Sequence, residues 1–241
     1  MNALDPQELK SFLAHLQHED PDFRAFGASE HRYQLLPPLP EAAIRMFEAQ
    51  YDITLPDEYR HFLSVIGNGG AGPYYGILPL AATTEYCDPR RPFPFKGKTR
   101  PRRQAVERWA TNQEPGVLAI ADRGCMLSSY LVLHGPSRGT VWNGVDALHL
   151  AGVSFTTWYR EWIIQMRTYA VPALRRERVT QRVEPGMRQD DVIRLCGGSW
   201  RRRRFGARVF LSFRHLQTQF ELDQNNKVLR IIPGCIIPPW G

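Results

Sequence analysis

The chain has 241 residues, of which 43% are hydrophobic and 23% charged, with 19 glycines and 19 prolines. These values are ordinary for a globular protein and exclude collagen-like, mucin-like and disordered classes. The net charge of +7 conceals an asymmetry: residues 1–89 hold 5 bases and 13 acids, residues 90–241 hold 26 bases and 11 acids. Such a split points to a charged partner, or to the two halves packing on each other. The length allows one large domain, or a medium domain with a small appendage. No apolar run approaches the roughly 18 residues of a membrane span, and the first ten residues lack the apolar core of a signal peptide. Cys87, Cys125, Cys196 and Cys235 lie far apart with no paired spacing. Free thiols in a reducing cytosol are therefore expected, with no disulfide framework, zinc site or cofactor.

In chain order, the first element is a helix with Asp5 as N-cap, Pro6 in its first turn and Glu8 completing a capping box. Leu9, Phe12, Leu13 and Leu16 form its apolar stripe. Residues 19–38 read as loop, with acids at Glu19, Asp20 and Asp22. A second helix starts near Pro40 and buries Ile44, Phe47 and Tyr51. A third starts at Pro56, presents Tyr59, Phe62, Leu63 and Ile66, and stops at Gly67. The period then changes. Residues 75–80, 117–121, 127–133 and 140–142 read as strands, and 87–108 as a long loop or as a loop carrying a short helix at 104–109. Another helix begins at Ser154, carries Phe155, Trp158, Tyr159, Trp162, Ile163 and Met166 as its apolar stripe, and ends at Pro172. Residues 1–172 thus form a main domain, 173–185 a polar linker, and 186–241 a small module. That module reads as one helix and three strands, at 208–213, 217–222 and 227–232, the last two joined by Asp223-Gln224-Asn225-Asn226.

No set of residues assembles an active site in this reading. The Gly67–Gly76 stretch follows a helix and lacks the Lys-Ser/Thr ending of a phosphate loop, so its glycines read as turn residues. The histidines (15, 18, 31, 61, 134, 149 and 215) are scattered and read as surface residues. Ser128, Ser129 and Cys125 have no nucleophile-elbow context. Asp190 and Asp191 suit the first turn of a helix better than a carboxylate pair. The Phe155–Trp162 aromatics fit a core better than a stacking platform. Arg201, Arg202, Arg203 and Arg204, flanked by Trp200 and Phe205, leave three readings open: a solvated strand or loop, a contact for an acidic protein, and a nucleic-acid patch, in that order.

The passage Leu55-Pro56-Asp57-Glu58-Tyr59-Arg60-His61-Phe62-Leu63, followed by Gly67-Asn68-Gly69-Gly70-Ala71-Gly72-Pro73-Tyr74-Tyr75-Gly76, resembles the signature of the SMI1/KNR4 (SUKH) family. The Ile44–Tyr51 helix, Gly124-Cys125, the Gly139–Trp142 segment and the Ser154–Trp162 aromatics match that family in the expected order. The resemblance covers about residues 35–170. It implies an α+β fold with helices packed on an antiparallel sheet. Bacterial members are commonly immunity proteins that bind a cognate toxin, often a nuclease or deaminase, without catalysis of their own. The Pro185–Gly197 segment resembles the helix of small α+β modules in bacterial envelope proteins, so a C-terminal α+β appendage is expected.

The expectation is a cytoplasmic, non-catalytic immunity protein with a toxin partner, no membrane contact and no metal. The runner-up is a nucleic-acid-binding or regulatory module using Arg201–Arg204. Homodimerisation stays open. An acidic N-terminal half suits a cationic, nucleic-acid-directed toxin. The expected contact residues are Glu19, Asp20 and Asp22, with Tyr74 and Tyr75 as aromatic anchors.

Overall fold

The computed structural model describes residues 4–95, 101–125, 127–143, 149–216 and 218–233. The chain divides into two compact units, Met1–Ile164 and Gln165–Gly241. Both are α+β.

In the first unit, α1 (Pro6–Glu19) starts where the Asp5 carboxylate accepts from the Gln7 and Glu8 amides at 2.9 and 2.8 Å. That cap and the stripe of Leu9, Phe12, Leu13 and Leu16, all buried, fix its start and its inner face. The segment read as loop contains a one-turn helix, α2 (Ala28–His31), between left-handed Gly27 and Arg32. It is too short to show periodicity. Next come α3 (Glu41–Tyr51) and α4 (Asp57–His61), the latter widening into a π-helical turn over Phe62–Ile66. Tyr59, Phe62, Leu63 and Ile66 are all buried, as their spacing requires, whereas Tyr51 is half-buried and bonds through its hydroxyl to Thr84 at 2.9 Å.

The sheet is an antiparallel meander of β1 (Val117–Gly124), β2 (Leu127–Val132), β3 (Thr140–Asn143) and β4 (His149–Ser154). Its register makes two cross-strand rows. Leu118, Leu131 and Val141 share one face and Ala119, Tyr130 and Trp142 the other, and all six are buried. The second row packs with Cys87, Phe93 and Trp109, the last on α5 (Arg103–Ala110). So the long excursion after Cys87 closes one face of the sheet. Residues 75–80 were expected as a strand, but they reach β1 only through an isolated bridge at Ile77, to Ala121 on one side and Gly70 on the other, with the Tyr75 and Leu78 amides donating to Asp122 O and Ile120 O. Pro79 has no N–H to continue a ladder, and a 3-10 turn follows at Leu80–Ala82. The α6 helix (Phe155–Gln165) buries Phe155, Trp158, Tyr159 and Trp162. Phe155 meets Tyr59 and Phe62 edge-on at 5.1 and 5.2 Å, which places this aromatic run in the core.

In the second unit a π-helical turn (Met166–Ala170) leads into α7 (Val171–Arg182). Pro172 was expected to end a helix and 173–185 to be linker; instead the helix runs to Arg182. Proline sits in the first turn of α7, where its missing N–H costs little. Within 173–185 only Val183, just past the helix, is fully buried, so the segment shows no apolar stripe and reads polar. After α8 (Gln189–Cys196), β5 (Arg201–Phe205), β6 (Arg208–Phe213), β7 (Thr218–Leu222) and β8 (Val228–Pro233) form a second antiparallel meander. Val192 and Cys196 pack with Val209, Leu211, Phe213, Phe220 and Leu222 as its core. The turn at 223–226 is as expected: the Asp223 carboxylate accepts from the Asn225 and Lys227 amides at 2.8 Å. Among the described residues no helix is long and apolar enough to cross a membrane.

Candidate functional site

The Gly67–Gly76 turn is a backbone knot. Gly70 and Ile77 exchange N–H···O bonds at 2.8 and 2.7 Å, the Ala71 amide donates to Gln34 O at 2.7 Å, and the Gly76 amide to Pro73 O at 3.0 Å. The Asn68 side-chain oxygen accepts from the Leu80 amide at 2.8 Å. These amides are committed to protein oxygens and are not free to bind a phosphate. Gly70 needs its glycine twice over. Its φ is +96°, and a Cβ there would lie 2.3 Å from Gln34 O.

The acids expected beside this turn behave differently from one another. Asp20 is 2% exposed, and its carboxylate accepts from the Arg24 and Ala25 amides at 2.8 and 2.9 Å and from the Tyr33 hydroxyl at 2.7 Å. It is a loop anchor. Burial and the Asp20 charge push the Tyr33 hydroxyl pKa up. Glu19 is also buried, on the inward face of α1, and only Asp22 of the three is exposed. The expectation of exposed binding acids is therefore corrected for Glu19 by its burial on α1 and for Asp20 by its packing onto Tyr33.

The same loop delivers aromatics instead. Gly27, at φ +77°, lets its backbone press on the Tyr74–Tyr75 peptide: a Cβ would sit 1.7 Å from Tyr74 O. That contact sets Phe26, 64% exposed, with its ring centroid 5.0 Å from that of Tyr75. Tyr75 is half-buried; its amide donates to Asp122 O at 3.2 Å and its ring lies on Gly124. Tyr74 is held at φ +58°, under the Arg123 guanidinium at 4.8 Å. The Arg123 Nε is buried without a hydrogen-bond partner among the described residues. Cys125, exposed and also left-handed, turns the β1–β2 hairpin next to this cluster. Tyr74 and Tyr75 thus join Phe26 and Arg123, which the sequence reading missed. Phe26 stands in a stretch without periodicity, and its ring partner Tyr75 is 49 residues away in sequence.

The remaining candidates resolve into structure. His15, His18 and His61 are exposed, and His134 bonds to Pro89 O at 2.7 Å. His31 is not on the surface: it is buried against Tyr33 and Trp162, and its Nδ1 accepts from the Tyr33 amide at 3.0 Å. Burial pushes its pKa down to about 4. The His149, His215 and Cys235 side chains lie outside the described residues. The Ser129 hydroxyl donates to Asn143 Oδ1 at 2.8 Å, and Asp191 pairs with Arg194 at 3.0 Å in α8. One buried cluster had no sequence signal. Glu114 accepts from the Tyr130 hydroxyl at 2.5 Å and from the Cys87 thiol at 3.4 Å, beneath α5. Burial pushes the Glu114 carboxyl and the Cys87 thiol up. Among the described residues no group of three or more His, Cys, Asp and Glu side chains could hold a metal ion.

Arg201–Arg204 lie in the second unit and do not act as one block. As strand β5 they alternate: Arg201 and Arg203 pair with Ser212 and Phe210, Arg202 and Arg204 with Leu211 and Val209. Arg202 bonds to the Asn226 side-chain oxygen at 2.7 Å.

No curated protein and no solved structure gives a match to the chain. The model of the SMI1 / KNR4 family (SUKH-1) matches residues 38–161, from the segment before α3 through the glycine turn and the first sheet into α6. With more than half of its length accounted for in this way, the chain belongs to the SMI1/KNR4 (SUKH-1) family.

Proposed function

We propose that this protein is a non-catalytic immunity protein of the bacterial cytoplasm, which binds and neutralises a cognate toxin of the nuclease or deaminase kind. Family membership supports the class of role. The observation that carries a binding surface is the Phe26–Tyr75 and Tyr74–Arg123 cluster, apolar and exposed at Phe26, yet set on backbone that the glycine knot holds rigid. Rigid aromatics beside an arginine are the usual anchors of a protein interface, because they bury much area with little loss of freedom. The exposed Asp122, whose carbonyl accepts from the Tyr75 amide, supplies an acid at its margin for a cationic toxin, and Asp22 is a further exposed acid of the first unit.

The test is co-expression with the toxin domain encoded beside this gene, followed by calorimetric titration. One-to-one binding and stoichiometric protection are expected. Phe26→Ala with Tyr75→Ala should weaken binding at least about ten-fold, the scale of an interface hot spot. Protection at strongly substoichiometric protein would overturn the proposal, since it requires turnover. Unchanged affinity in the double variant would move the interface elsewhere.

A further inference from the structure

The second unit, residues 165–241, holds 15 bases and 6 acids. Its sheet has two faces, and pair register assigns each residue to one. One face is the core with α8. The other collects Arg201, Arg203 and Phe205 from β5, Arg208 and Phe210 from β6, and Arg230 from β8. Phe205 is 61% exposed and meets Phe210 edge-on at 5.9 Å. Arg201, Arg208 and Arg230 are exposed around them. One acid, Glu221, shares this face, buried, with Arg230 Nε at 2.5 Å and Arg208 Nε at 3.5 Å. The register thus gathers four arginines and one carboxylate on the strands of this face, with Arg208 and Arg230 both on Glu221.

We infer that this face of the β5–β8 sheet binds single-stranded nucleic acid, with Phe205 stacking on a base and the arginines of β5 and β6 following the phosphates. The occupant follows from the chemistry. A cationic surface alone would suit any polyanion. An exposed aromatic ring between arginines on an antiparallel sheet adds a flat apolar site at the scale of one base, which a run of carboxylates leaves unused and whose match in a duplex is hidden inside the stack. The alternation within β5 sharpens the assignment, since only Arg201 and Arg203 of the four share a face with Phe205. This inference stands apart from the toxin reading, which rests on the first unit.

The test uses the full chain and fluorescein-labelled 20-nucleotide single strands of mixed sequence, as DNA and as RNA, read by anisotropy. Saturable binding of either strand is expected, with weaker binding of the matching duplex. Phe205→Ala should weaken it about five-fold or more, the low end for loss of one base–aromatic stack. Phe205 is mostly exposed, and circular dichroism would verify the fold. Arg201→Gln with Arg203→Gln should lower the slope of log K against log salt by about 1.4, two phosphate contacts on a single strand. Arg202→Gln with Arg204→Gln removes the same charge from the opposite face and should cost much less. Three results would each overturn the inference: no binding, equal losses from the two arginine pairs, or binding indifferent to Phe205→Ala and displaced equally by polyglutamate. The last would identify the face as a site for an acidic protein.

Discussion

The Tyr159 hydroxyl of α6 donates to the Ala71 carbonyl at 2.6 Å, inside the glycine turn. Tyr159 is 0% exposed, so this bond joins two parts of the family signature 88 residues apart across a dry contact. Its loss leaves a buried carbonyl without this donor. Tyr159→Phe keeps the ring packing on Phe62 and Trp162, and should lower stability by about 1–2 kcal/mol in urea unfolding.

The acids after α1 should separate sharply on mutation. Asp20→Ala removes three bonds, to the Arg24 and Ala25 amides and the Tyr33 hydroxyl, from a buried site. A loss of about 3 kcal/mol is expected. Asp22→Ala, at an exposed position, should stay within about 0.5 kcal/mol. Chemical denaturation of both variants checks the contrast.

That contrast marks how far the sequence could be read. The stripes of α1, α4 and α6 were legible because their spacing is local and every member but the half-buried Ile163 is buried. Asp20 was not, since its burial depends on Tyr33, 13 residues away and beyond a helix of one turn. Tyr74 and Tyr75 were legible as part of a motif, but their partner Phe26 was not, because that contact is made by backbone approach at Gly27. Pro172 misled for a related reason: a proline opens a helical turn as readily as it stops one. The face assignment of Arg201–Arg204 needed the strand first.

Acid should destabilise the first unit through His31. Its pKa is pushed down by burial from 6.5 to about 4. Between those values the unfolded chain binds the extra proton and the folded chain does not, so stability rises with pH across the window. It is fully present above about pH 6.5 and is lost as pH falls toward 4, by about 3 kcal/mol at most. His31→Asn keeps an acceptor for the Tyr33 amide and cannot titrate. Its stability curve should be flatter between pH 7 and 4, measured by thermal unfolding.

Gly70→Ala should be among the most damaging small changes in the chain. The new methyl would meet Gln34 O at 2.3 Å and would need a left-handed backbone at φ +96°. Strain and the shift of the Gln34–Leu36 segment together should cost about 3 kcal/mol or more. Loss of soluble expression or a large fall in unfolding midpoint would show it. Gly135→Ala also sits at positive φ, but nothing lies within 4 Å of its Cβ, so only the backbone term, about 1 kcal/mol, is expected.

The cysteines give a direct probe of the proposed binding surface. Cys125 is exposed, whereas Cys87 and Cys196 are buried. Burial pushes the Cys196 thiol up to about 12 and moves Cys87 in the same direction, so both stay protonated and shielded at neutral pH. Brief treatment with a maleimide should therefore modify Cys125 ahead of Cys87 and Cys196, which peptide mass spectrometry resolves. Cys125 follows Gly124, whose backbone packs on the Tyr75 ring, so a bulky adduct there stands beside the Phe26–Tyr75 pair. Labelled protein should keep its fold and lose most of its affinity for the toxin, while Cys125→Ser protein treated in the same way should keep it. Protection of Cys125 from labelling in the preformed complex is the reciprocal expectation. If labelled protein binds the toxin as tightly as unlabelled, the partner docks away from the glycine turn, and Phe26 and Tyr75 are not its anchors.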